Sequence, residues 1–194
     1  MTPILALLLP LVAAAASSAP VPTPIGATPR FHPPPLSAAV ARVAPVGGLR
    51  CARDPAPRDL VHVELFAQKH VVIVPPGIGI APPVRRRGAY VWGGRCSYPL
   101  RTRDPTGIVE VLRGQRSTLG QLFAIWGQPL TATRLSGFAA APGTRVHAYV
   151  GGRPWPYPIA QIPLRRHAEI VLEIDGYVPP HRFFLFPRGR RPAA

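Results

Sequence analysis

Lysine is nearly missing from this chain of 194 residues: Lys69 stands alone among 23 basic residues, and a formal charge of +15 rests on arginine. That skew, with abundant Ala and Pro, is what a GC-rich coding sequence produces, so the charge alone specifies no partner. Acidic residues number eight, which leaves few carboxylate pairs for hydrolytic acid–base chemistry. Cysteine occurs twice, with no CxxC or HxxxH spacing, so a zinc finger or ribbon has no support. No serine lies in a GxSxG turn, and GIGI at 77–80 is followed by neither lysine nor helix. Nucleophile-elbow and phosphate-loop enzymes are therefore disfavoured. After the N-terminal stretch, no run approaches the roughly 18 apolar residues of a membrane-spanning helix. No internal repeat of about 20–50 residues is visible.

Proline is plentiful: 28 in all, ten of them between Pro20 and Pro57. Residues 4–16, ILALLLPLVAAAA, have the length of a signal-peptide apolar region, and Ala14 and Ala16 supply small residues for cleavage. Residues 1–16 are thus predicted as a signal peptide, and the protein as periplasmic or secreted. In an oxidising compartment Cys51 and Cys96, 45 residues apart, form a disulfide worth roughly 4 kcal/mol on the chain-entropy model. The Pro/Ala-rich residues 17–50 read as a tether leaning to polyproline II, with at most a short helix near 36–43. The folded domain is expected over 51–187, and 188–194 as a disordered basic tail.

Within the domain, LVHVELFAQKHVVIV (60–74) reads as a hairpin of strands near 61–66 and 70–74. PPGIGIAPP then leads into a loop holding Arg85, Arg86 and Arg87. Tyr90–Trp92 and Gly107–Leu112 are further strands, the second entered from the Asp104-Pro105 turn. Leu119, Leu122, Phe123 and Trp126 fall on one helical face behind Ser117 or Thr118 as cap, and Gly127 and Pro129 end the helix. RVHAYV (145–150) and EIVLEI (169–174) read as strands, PWPYPIAQIPL between them as an ordered loop, and RFFLF (182–186) as an edge strand. The order predicts an α+β fold, a mixed β-sheet with one amphipathic helix packed on it in a β-grasp-like arrangement. A β-sandwich with one helix is the alternative.

These segments together resemble an uncharacterised family of secreted bacterial proteins. That family carries a cysteine, a HIHAHL-like strand, a PxGIGI loop, a second cysteine, an LHTHDxxGIIHIE segment and an FTLGQFFxxWGxPL helix. The matching pieces are Cys51, VHVEL (61–65), VPPGIGI (74–80), Cys96, LRTRDPTGIVEV (100–111) and STLGQLFAIWGQPL (117–130), and the resemblance spans residues 49–187. The family's alternating histidines fall on Leu60, His62 and Glu64, and on Arg101 and Arg103. In the relatives, imidazoles from two strands imply a Zn or Cu position. Here His62 survives with Glu64 as an oxygen donor, and arginine, always protonated, cannot ligate.

Two readings of the remaining site follow. Arg101 and Arg103 form an ion cluster with Glu64, or they present an anion site for carboxylate, phosphate or sulfate. Asp104 caps its turn, and Trp155 with Tyr157 packs the long loop or forms an aromatic platform. The expectation is an exported, disulfide-linked, non-enzymatic binding or structural module without a cofactor. Its partners would be an anionic envelope polymer or lipid head groups rather than nucleic acid. The alternative is a divalent-metal protein that holds Zn or Cu through His62 and Glu64.

Overall fold

The computed structural model describes residues 37–53 and 56–187; the predicted signal peptide, residues 17–36 of the predicted tether and the basic tail lie outside them. The chain folds as α+β around one mixed sheet. Its longest strand, β1 (Arg58–Ala67), turns back into β2 (His70–Val72) and forms the expected hairpin. The turn residues Gln68 and Lys69 both take positive φ, 52° and 66°, as a tight two-residue hairpin turn requires. The arginine run predicted as a loop is instead β3 (Arg85–Arg87), which pairs antiparallel with β4 (Tyr90–Gly93) across a turn containing Gly88. β5 (Leu100–Thr102) and β6 (Ile108–Leu112) follow, then a small three-stranded meander, β7 (Leu130–Thr131), β8 (Arg134–Leu135) and β9 (Phe138–Ala139). β10 (His147–Val150), β11 (Arg153–Pro154) and β12 (Glu169–Ile174) complete the set.

The main sheet runs β11-β10-β12-β1-β6-β5, with β2 paired to the far end of β1. β1 and β12 lie parallel at its centre, with His62 opposite Glu169 and Glu64 opposite Val171. The two-residue period of a strand sorts the side chains. Val61, Val63, Leu65 and Ala67 join Ile170 and Leu172 in the core. Helix α2 (Leu119–Trp126) contributes Leu119, Leu122, Phe123 and Trp126 to that core, the face its spacing predicts. Burying each contributes about 1.5–3 kcal/mol. Thr118 and Gln121 close a reciprocal capping box, and Gly127 ends the helix in the left-handed conformation.

Two boundaries differ from expectation. Packing begins before Cys51: Ser37 caps α1 (Ala38–Ala41), Val40 and Leu49 are buried in the core, and the Tyr98 hydroxyl donates to the Ala44 carbonyl. The short helix expected near 36–43 is α1, and its Val40 joins Leu49 in docking the end of the predicted tether on the core. At the other end, 182–186 is not a strand. Pro179, Pro180 and Pro187 bracket it and cannot donate to a ladder. The segment 177–187 lies instead as a strap over the second face of the sheet. Phe184 and Phe186 turn inward and stack on His62 and His167, while Phe183 and Leu185 are 73% and 74% exposed. The Cys51–Cys96 disulfide is formed, and Ala52 bridges to Ser97 beside it.

Candidate functional site

The second face of the sheet collects the polar residues of its central strands. Register places Glu110 of β6 beside Leu60 of β1 and Arg101 of β5 beside Glu110. Leu60, His62 and Glu64 are alternate residues of β1 and share that face.

Arg101 and Arg103 are tied to one carboxylate. Arg101 Nε donates to Glu110 Oε2 at 2.6 Å, and Arg103 Nε lies 3.0 Å from Glu110 Oε1. Arg101 also donates to Ser97 Oγ at 3.1 Å, and Arg103 donates to the Val91 and Trp92 carbonyls. Both arginines therefore sit in an ion cluster with Glu110, and the predicted one with Glu64 does not form. Nearest-neighbour pairing on adjacent strands decides this, because Arg101 sits directly opposite Glu110. Asp104 Oδ1 accepts from the Thr106 backbone N–H at 3.3 Å, a local turn bond.

His62 and Glu64 belong to a second cluster. Glu169, across the parallel pairing of β1 and β12, brings its carboxylate 2.9 and 3.0 Å from His62 Nδ1. Glu64 Oε1 lies 4.0 Å from the same nitrogen, and its Oε2 pairs with His181 of the strap at 2.7 Å. His62 and Glu169 are 3% and 2% exposed, and Phe184 stacks on the imidazole with centroids 3.7 Å apart. Burial pushes the Glu169 carboxyl up from its ordinary range, and its hydrogen bond and attraction to His62 partly offset this.

The proton arrangement follows from the partners. His62 Nε2 lies 2.9 Å from the Thr106 carbonyl oxygen. A carbonyl only accepts, so Nε2 carries the proton. Nδ1 then faces Glu169 at hydrogen-bond distance and Glu64 at 4.0 Å, an arrangement with room for a proton or a metal ion. One donor atom each from His62, Glu64 and Glu169 lies within 4.8 Å of the others. An imidazole nitrogen with two carboxylates suits zinc and its neighbours, and the Nε2–H bond to a carbonyl is how ligating histidines are held. Gly107 makes that anchor possible. Its φ is 76°, and a Cβ there would stand 2.5 Å from the Val63 oxygen and 3.1 Å from His62 Nε2. A cleft of about 300 Å³ between the hairpin and the 105–107 turn reaches His62, Glu64 and His181.

The structure therefore brings His62 and Glu64 together and keeps Arg101 and Arg103 in a separate cluster on the same face. Sequence reasoning missed Glu169, Glu110 and His181. The available signal was a glutamate on each side of IVL in an otherwise apolar strand, since a buried carboxylate demands a partner. Compared with protein-family models, curated proteins and solved structures, the chain has no match.

Proposed function

We propose that this chain is an exported, disulfide-linked binding module that holds a divalent transition metal, Zn or Cu, through His62 Nδ1, Glu64 and Glu169. The observation that carries the reading is the hydrogen bond of His62 Nε2 to the Thr106 carbonyl, which leaves Nδ1 turned toward two carboxylates. A bound ion replaces the proton between them and draws both carboxylates to one centre. The disulfide and the signal-like N-terminal segment support export, and among the described residues no helix is long and apolar enough to cross a membrane. The likeness to the secreted family supports the same reading, since His62 stands where that family's strand carries an imidazole. The side-by-side parallel placement of the first long strand and the last supports a β-grasp-like arrangement.

Calorimetric titration of the oxidised chain with Zn²⁺ tests the proposal. Stoichiometric uptake is expected, weakened at least about tenfold in Glu64→Gln, a variant that leaves the buried His62–Glu169 pair in place. Uptake unchanged in Glu64→Gln, or no uptake by a chain shown to be folded, overturns it. The second result assigns the position to a proton.

A further inference from the structure

A different wall of the molecule concentrates positive charge beside a single carboxylate, Asp59. The segment preceding α2 runs antiparallel to 162–165. Thr118 bridges to Pro163, Leu119 N–H donates to the Ile162 carbonyl at 2.9 Å, and Leu164 N–H donates to the Ser117 carbonyl at 2.9 Å. That register sets Arg116 across from Arg165, with Arg166 next in the chain. All three are exposed, and none makes an ion pair among the described residues. Like charges facing across paired strands are destabilising. Asp59 stands on this same wall and is paired with Arg113, with Nε to Oδ1 at 3.1 Å.

These arginines border a pocket of about 570 Å³ whose wall also includes Ser117 and Thr118. Ser117 is 5% exposed, and its Oγ has no hydrogen-bond partner among the described residues. Thr118 is the N-cap of α2, so the positive end of the helix dipole lies at the same wall. We propose that this pocket binds a phosphate-type oxyanion through Arg116, Arg165 and Arg166. Planar guanidinium groups hold such an oxyanion with paired N–H donors, and the bound charge removes the repulsion between Arg116 and Arg165. The site is independent of the metal reading and of Arg101 and Arg103, whose Nε groups both face the Glu110 carboxylate.

The test titrates the folded, oxidised chain with inorganic phosphate at low ionic strength, followed by the backbone amide shifts of 116–118 and 164–166. In parallel, the chain is sedimented with phosphatidylglycerol and with phosphatidylcholine vesicles. An Arg116→Gln/Arg165→Gln variant is compared with Arg85→Gln/Arg86→Gln, which removes the same charge from the exposed β3. Binding is expected to weaken at least about tenfold in the first variant and less than about twofold in the second. Response to phosphate alone assigns a free oxyanion. Response only to phosphatidylglycerol vesicles, lost in the first variant, assigns a lipid head group. Equal loss in both variants shows bulk attraction and overturns the proposal, as does a chain that responds to neither probe.

Discussion

Arg101 and Arg103 share the carboxylate of Glu110, whereas Arg116, Arg165 and Arg166 make no ion pair among the described residues and line a pocket whose Asp59 is paired with Arg113. Both groups consist of the same side chain in the same basic protein. The difference lies in what the neighbouring strand presents. β6 places an acid directly opposite Arg101, and the segment opposite Arg116 places another arginine. A paired guanidinium gives part of its donor fork to the fold; an unpaired one keeps the whole fork for a ligand. Net charge says nothing about which is which.

Removing the shared acid breaks the comparison most forcefully. Glu110→Ala leaves two mostly buried guanidinium groups without a counter-charge and is expected to cost about 3 kcal/mol in urea denaturation. A loss under about 0.5 kcal/mol, the range of ordinary surface changes, would show that the pair does not hold β5 to β6. The surviving variant should also gain a phosphate response that the parent lacks at this place.

Glu173 supplies the acidic counterpart, a buried carboxyl whose partner is the Val178 backbone N–H rather than an arginine. Burial raises its pKa above the ordinary glutamate range. The folded chain therefore holds that proton more tightly than the unfolded chain does. Stability falls as pH rises from the ordinary range through the raised folded value, and the full penalty applies once pH lies above that value. Glu173→Gln keeps an acceptor for Val178 and removes the charge, so it should melt higher than the parent at neutral pH. The two should converge as pH drops below the ordinary glutamate range. A variant less stable than the parent at neutral pH would refute this.

Converting the unpaired set into a paired one sharpens the contrast with a smaller effect. Arg116→Glu sets an acid opposite Arg165 and should raise stability by about 0.5 kcal/mol, while it abolishes the phosphate response. Salt gives the smallest change. At about 1 M NaCl the Debye length falls to ~3 Å, and a small advantage of Arg116→Gln over the parent in dilute buffer should vanish. An advantage that persists would place its origin outside electrostatics.

Much of the architecture is readable from the chain alone. The β1–β2 hairpin, the α2 face and its Thr118 and Gly127 ends follow from local rules, because periodicity and capping act within a few residues. Local rules fail at β3 and at the strap. RRR carries no strand pattern and pairs because β4 is adjacent; RFFLF carries one and finds no ladder between its prolines. The site divides in the same way. His62 and Glu64 share a face by simple alternation, but Glu169 reaches them across 107 residues of sequence, through a parallel pairing that no local pattern encodes.

By itself, then, the sequence determined the α+β class, the helix with its caps, the cysteine pair and the face shared by His62 and Glu64. Each depends on neighbours along the chain or on there being only two cysteines to join. The tertiary structure alone decided that Glu169 sits at His62, that Glu110 and not Glu64 takes the arginines, and that Arg116 meets Arg165. Charges interact through space at a few ångströms, and only strand order and register bring distant residues to that distance.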